Sequence, residues 1–183
     1  MTATIATIAE LGYNQASFAR IAERAGLSST RLISYHFDGK DELIHQAIST
    51  IYGELGAFMH QRVSTQSTPG GALDAYIRSL VEFIRDHRAE MRAATEIFLN
   101  FRPEGGSAAQ DAATNLSALS PIERLLTWGQ ESGEFGEFSV RVTAMAIQRA
   151  LDGLPFLLEA DPDADLGVYA DELAGLFARA TRA

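Results

Sequence analysis

Apolar residues recur three and four positions apart along most of this chain, the period of helices with one buried face. Ile5, Ile8 and Ala9 form the first such stripe, in a helix predicted over 3–11 and closed by Gly12 and Tyr13. Phe18, Ile21, Ala22 and Ala25 form the second, and Ser17 ahead of them supplies a hydroxyl for a free first-turn amide. Gly26 suits the left-handed position that closes this helix, with Leu27 as the apolar residue after it. Ser28 then caps a further predicted helix running to about Phe37. Steps of 100° put Leu32, Ile33 and His36 on one side of it and Thr30, Arg31, Ser34 and Tyr35 on the other. Asp38 and Gly39 predict a turn, and Ile44, Ile48, Ile51, Leu55 and Phe58 predict a long helix over 40–63.

Residues 65–71, TQSTPGG, are the first strong breaker. Beyond them Leu73, Tyr76, Ile77, Leu80, Val81 and Ile84 predict a helix over 72–86, and Met91, Thr95 and Phe98 align on another over 88–100. Residues 102–107 break that helix, and the small-residue stretch 108–119 fits either a weak helix or a loop. Ser120-Pro121-Ile122-Glu123 reads as a capping box with proline at the first helical position, followed by an inner face of Ile122, Leu125 and Leu126. A helix from about Ser139 is expected to kink at Gly153-Leu154-Pro155. The last helix places Leu166, Tyr169, Leu173, Leu176, Phe177 and Ala180 on one face. No alternating run predicts a strand. The expected fold is all-α, with about nine helices, divided into an N-terminal domain over 1–43 and a helical domain over 44–183.

Two short helices around a glycine-containing turn, the second with an outward face of a guanidinium, hydroxyls and a phenol, form the helix-turn-helix pattern. An arginine fork can read guanine or clamp a phosphate, and hydroxyls suit phosphate oxygens. An ordinary helical hairpin with a solvated face shares the pattern.

Composition narrows the choice. With 183 residues, 46% hydrophobic and 21% charged, the chain is globular and long enough for a substantial core. It has no cysteine, which excludes disulfides and thiolate metal sites. No apolar run reaches the length of a membrane span, and Met1-Thr2-Ala3-Thr4 lacks a signal peptide's basic start, so a cytoplasmic protein with no membrane partner is expected. The net charge of −9 bears directly on DNA binding. Up to Leu43 four basic residues (Arg20, Arg24, Arg31, Lys40) face five acids (Glu10, Glu23, Asp38, Asp41, Glu42), so the remainder holds most of the negative charge. Non-specific affinity is therefore expected to be weak, and binding to depend on a few placed cations and on dimerisation. His36, His45, His60 and His87 form no metal-ligand motif, no carboxylate pair sits in a tuning apolar context, and no glycine-rich phosphate loop occurs. Neither catalysis, a metal nor a cofactor is expected.

Ile21-Ala22 and Ala25-Gly26-Leu27-Ser28, then Tyr35-His36-Phe37, then Lys40 followed by Asp41-Glu42-Leu43, resemble the DNA-binding signature of TetR-type bacterial transcriptional regulators. Such proteins usually begin the first helix earlier, with basic residues ahead of it, whereas Met1 falls almost inside it here. The resemblance implies a homodimeric regulator, read as a repressor, that releases operator DNA when a small-molecule inducer binds its C-terminal domain. Candidate DNA contacts are Ser17, Ser28, Ser29, Thr30, Arg31, Ser34, Tyr35, His36 and Lys40. Lys40 would sit at a helix N-terminus, where a cation costs a few tenths of a kcal/mol unless an anion such as a DNA phosphate stands in front of it. Phe58, Met59, Phe83, His87, Met91, Thr95, Phe98, Trp128 and Met145 are the candidate inducer site, apolar with sparse polar points. No cationic cluster marks it, which points to an apolar or cationic ligand. Dimerisation is expected through the last two helices, over 139–160 and 165–182, by Leu151, Leu154, Leu158, Tyr169, Leu173, Leu176 and Phe177 in a four-helix bundle. The rival reading is a helical ligand-binding or interaction protein whose DNA-binding half is non-functional or truncated; the acidic charge and short first helix favour it.

Overall fold

A computed structural model of the chain describes residues 1–102 and 119–183. Among these residues it has ten α-helices, one 3-10 turn, and no strand beyond an isolated antiparallel bridge between Phe135 and Arg182. The breaker over 103–107 and the small-residue stretch from 108 lie outside the described residues. The break at Gly153 splits one expected helix into two, which raises the count from nine to ten.

Two compact units emerge, and they do not divide at residue 43. The first comprises Met1–Leu55 and His87–Gly106, described here through Arg102. It holds α1 (Thr2–Leu11), the turn Tyr13–Gln15, α2 (Phe18–Arg24), α3 (Arg31–His36), the first part of α4 (Lys40–Val63) and α6 (Arg88–Asn100). Its larger core joins Ile5, Ile8 and Ala9 of α1 to Ile44, Ala47 and Ile51 of α4 and to Ala93, Ala94 and Ile97 of α6. The alanines let α6 approach α1 closely, and this buried face replaces the expected Met91, Thr95 and Phe98 stripe. Met91 and Thr95 are half-buried and Phe98 is exposed. A smaller core joins Ile21, Ala22, Ile33 and Leu43, with Phe18, Leu27 and Phe37 packed against it. Ala25, expected in that face, closes α2 and is exposed.

The second unit comprises Gly56–Asp86 and Ser107–Ala183, described from Leu119 onward in its latter part. Here α5 (Pro69–Asp86) packs against α7 (Ser120–Glu131) and α10 (Leu166–Thr181), joined by α8 (Val140–Asp152) and α9 (Leu154–Ala160). Pro69-Gly70-Gly71, expected to precede α5, forms its first turn. Proline lacks the N–H that a first turn leaves unbonded, and the Thr68 hydroxyl accepts from the Gly71 N–H at 3.1 Å. The expected capping box at Ser120 does not form. Leu119 is the cap residue, without a side-chain bond, and Glu123 pairs with Arg141 of α8 instead. Ser139 and Asp165 do cap α8 and α10, accepting from Val142 and Gly167 amides at 3.4 and 2.9 Å. The Phe135 ring lies flat enough on Gly129 that an added Cβ would stand 1.9 Å from Cδ2, so glycine is required there.

The buried face of α10 is Leu166, Ala170, Ala174, Phe177 and Thr181, rotated from the expected one; Tyr169, Leu176 and Ala180 are exposed. The Tyr76 hydroxyl of α5 donates to Gln148 Oε1 at 3.2 Å, and Gln148 Nε2 donates to Asp152 Oδ1 at 2.7 Å. Burial, and then the Asp152 charge, push the Tyr76 phenol pKa well above its ordinary value. Among the described residues no helix is long and apolar enough to cross a membrane.

Candidate nucleic-acid interface

The segment from Ser17 to Lys40 is organised by the way α2 stops. Leu27 N–H donates to Ala22 O at 2.9 Å and Gly26 N–H donates to Glu23 O at 3.1 Å, the paired bonds of a Schellman cap. Gly26 takes φ +67°, a left-handed conformation that strains any residue with a Cβ. The cap drops Leu27 onto the smaller core and turns the chain towards α3. Ser17 accepts from the Arg20 amide at 3.4 Å, so the other end of α2 is capped as expected.

Helix α3 is shorter than expected. Ser28 and Ser29 lie in the turn rather than at a cap, and Thr30 precedes Arg31 without a side-chain cap bond. Six residues make fewer than two turns, so a single position, Ile33, reaches the core, with Phe37 just beyond supporting it. Leu32 and His36, expected to face inward, are therefore exposed, Leu32 at 51%. Tyr35 is 82% exposed and meets the His36 ring edge to face at 5.2 Å. Arg31, Ser34, Ser28 and Ser29 are exposed as well, and Thr30 is half-buried.

Four cations belong to this segment, and the structure sorts them. Arg24 forms a two-armed pair with Glu10 of α1. That bond holds the Glu10 carboxyl below its usual range and raises Arg24. Lys40 donates from Nζ to Tyr13 O at 2.9 Å and lies 4.2 Å from the Tyr13 ring centre. A carbonyl and a ring face thus offset the unfavourable helix end. Burial lowers the Lys40 pKa, opposed by Asp41, and burial followed by Asp41 raises that of Tyr13. Arg20 bonds the neutral Gln15 carboxamide at 3.2 Å. Arg31 has no carboxylate partner among the described residues. Of the four, Arg20 and Arg31 are held neither by a carboxylate nor by a backbone carbonyl and ring among the described residues. Arg20 is not among the expected contacts, although it falls outside the Phe18, Ile21 and Ala22 stripe and is exposed.

Tyr13 is held from another side too. Its N–H donates to Glu96 Oε2 of α6 at 3.1 Å, Asn100 donates to the same oxygen at 3.3 Å, and Phe101 packs on its ring at 5.9 Å between centres. The turn that leads into α2 is thereby fastened to α6.

The candidate inducer residues divide between the two units, His87, Met91, Thr95 and Phe98 in the first and the others in the second. Phe58 and Phe83 meet edge to face at 5.4 Å, with Phe83 buried and Phe58 and Met59 half-buried. His87, Met91 and Thr95 are half-buried. Phe98, Trp128 and Met145 are exposed, because the helix faces bearing them are not the faces packed on α1 or α5. One open groove, about 460 Å3 in volume, is lined instead by Gln61, Arg62, Thr65, Gln66, Ala75 and Ser79, none of them an expected residue. Arg62, on its lining, stands 3.5 Å from the Phe58 ring centre and 3.4 Å from Glu82. Of the expected dimer contacts, Leu151, Leu154, Leu158 and Phe177 are buried within their own chain, so their side chains serve intrachain packing. Leu173 is half-buried, and Tyr169 and Leu176 face outward.

Fold and interface together define a helix-turn-helix protein with a second unit that is helical over its described residues. Residues 1–47 match the family described as bacterial regulatory proteins, tetR family. HTH-type transcriptional regulator BetI 1 of Chromohalobacter salexigens is 33% identical over 100 residues, which is 54% of this chain and about half, 47%, of that relative. BetI of Cronobacter sakazakii is 25% identical over 179 residues, 94% of this chain and 88% of that protein. In fold the chain is similar to the transcriptional regulator FadR of Bacillus subtilis, solved in complex with stearoyl-CoA, at TM-score 0.80 and 22% identity over 96% of this chain and 94% of that one. It is similar also to the TetR-family regulator PfmR of Thermus thermophilus, at TM-score 0.78 and 19% identity over 96% and 97%. By the family match residues 1–47 are similar to the tetR family of bacterial regulatory proteins, and over the rest of the chain the likeness to solved structures is one of fold.

Proposed function

We propose that the protein is a homodimeric, cytoplasmic repressor that binds double-stranded operator DNA through α3 and releases it when a small molecule binds the second unit. The observation that carries this reading is Arg31, exposed on a helix without an acid and positioned by a glycine-dependent cap. Arg31 reads base or phosphate, Arg20, Tyr35, Ser34 and the Ser28-Ser29 turn position the backbone, and Lys40 acts indirectly by fastening Tyr13. Tyr169, Leu173 and Leu176 of α10, with Val142 and Met145 of α8, supply the dimer contact, and the buried leucines hold those helices in place. The inducer is apolar or cationic, and Phe58, Met59 and Phe83 are its nearest candidates in the second unit. Catalysis forms no part of the reading. Ligand and DNA then weaken each other's binding by the same factor, as linkage requires.

Fluorescence anisotropy against duplexes flanking its own gene, at several salt concentrations, tests the proposal. Salt-sensitive binding that depends on Arg31 supports it. The acidic net charge of −9 favours the rival, a ligand-binding protein without DNA function, and salt-insensitive or absent duplex binding would select that rival.

A further inference from the structure

We infer that Leu32 is a specificity-determining residue that reads a thymine in each operator half-site through its 5-methyl group. This rests on the DNA-binding reading above and extends it to a residue that the sequence pattern places in the core.

An exposed leucine by itself carries no message. The setting of Leu32 is more specific. It lies on a helix of six residues whose single core anchor is Ile33, so no packing demand of the fold accounts for a large apolar side chain next to it. Taking the Ile33 direction as inward, Arg31 and Tyr35 stand at the centre of the outward face, with Leu32 and Ser34 flanking it on opposite sides. An α-helix that enters the major groove brings its centre and both flanks against base edges. The guanidinium, hydroxyl and phenol can each bond a base or a phosphate. Leu32 has no polar atom, and if it faced only donors and acceptors it would strip water from them without replacing their bonds. Among the base edges of the major groove, the apolar group is the thymine methyl. On a base edge, contact with that methyl makes Leu32 favourable, beside the base or phosphate held by Arg31.

The test removes the methyl and nothing else. The intact protein first selects its operator from a pool of random duplexes, and each thymine is then replaced in turn by deoxyuridine. Wild-type protein should lose about fourfold in affinity at one thymine per half-site, the factor equivalent to one buried methyl at about 0.8 kcal/mol, and about fifteenfold with both half-sites changed. Leu32→Ala should bind the unmodified operator about as weakly as wild type binds the substituted one. It should be indifferent to deoxyuridine at that position while keeping its response elsewhere. Leu32→Met should restore the methyl dependence. Because the side chain is exposed, Leu32→Ala should melt like wild type, which separates a binding effect from misfolding. Tight, salt-sensitive binding with an equal deoxyuridine response in wild type and Leu32→Ala at every position overturns this inference and leaves the regulator reading standing. No salt-sensitive duplex binding at all overturns the regulator reading and this inference with it.

Discussion

Helices α3 and α10 both carry more large apolar side chains than their own packing uses, but the surplus sits in different company. On α3 the exposed Leu32 and Tyr35 are mixed with Arg31 and Ser34, in a helix of six residues anchored by Ile33. On α10, sixteen residues long, a buried arc of Leu166, Ala170, Ala174 and Phe177 runs directly beside a second arc of Tyr169, Leu173 and Leu176. The first surface alternates charge, hydroxyl and apolar groups over a short span, which suits a partner with a polar, patterned groove. The second is an apolar stripe along about two turns, which suits another helix. Exposed apolar area alone does not distinguish the two; the polar groups interleaved with it do.

The comparison breaks most sharply at the anchor of α3. Ile33→Ala should lower stability by about 2–4 kcal/mol, since it empties the one core position of the helix. Denaturant unfolding followed by circular dichroism gives the number, and duplex binding should vanish even where the second unit remains folded. An effect below about 1 kcal/mol would mean that Phe37 and the Schellman cap hold α3 without it.

On the other surface, Leu176→Glu should raise the dimer dissociation constant at least about a hundredfold, about 2.7 kcal/mol, by placing an unpaired charge in an apolar contact. Sedimentation equilibrium reads this directly. A wild-type monomer at micromolar concentration ends the proposal, and a dimer unmoved by this change shifts the contact away from α10.

Arg31→Ala should cost about 1–3 kcal/mol in operator affinity and relax specificity at one position per half-site. Arg20→Ala should weaken all duplexes alike and flatten the salt slope by about one unit per half-site. Lys40→Ala, by contrast, should leave that slope unchanged, because its ammonium is already held by the Tyr13 carbonyl and ring. Titration of anisotropy at several salt concentrations separates the three.

The smallest expected effect is Tyr76→Phe, about 1 kcal/mol at neutral pH for one lost hydrogen bond to Gln148. The folded state keeps this phenol protonated above its ordinary value of 10.0, so above that pH the unfolded chain binds fewer protons. The contribution of Tyr76 is therefore complete below pH 10 and is lost as pH climbs towards the raised folded value. Urea unfolding between pH 7 and 11 should show a decline in wild type that is shallower in the variant.

Local chemistry was sufficient for some features of this chain and not for others. The Ser17 cap, the left-handed Gly26, the full extent of α4 and the break at Gly153 depend on one to four neighbouring residues, and all were legible in the sequence. The family signature was legible for the same reason, because its anchors are close together along the chain. Which face of a helix is buried depends on what arrives from far away. Ala93, Ala94 and Ile97 face α1 because an alanine stripe fits closely there, and Phe98, with the stronger hydrophobic signal, is left outside. The same competition rotated α10 and enclosed Leu151 and Phe177 in their own chain.

What the sequence by itself determined is therefore the helical class, most helix limits and the helix-turn-helix segment, since periodicity and capping act over a few residues. The tertiary structure alone decided that Lys40 is held by Tyr13, that α6 joins the N-terminal unit, and that Leu32 faces outward. Each of those depends on a contact between residues distant in sequence, or on how few positions of a six-residue helix can reach a core at once.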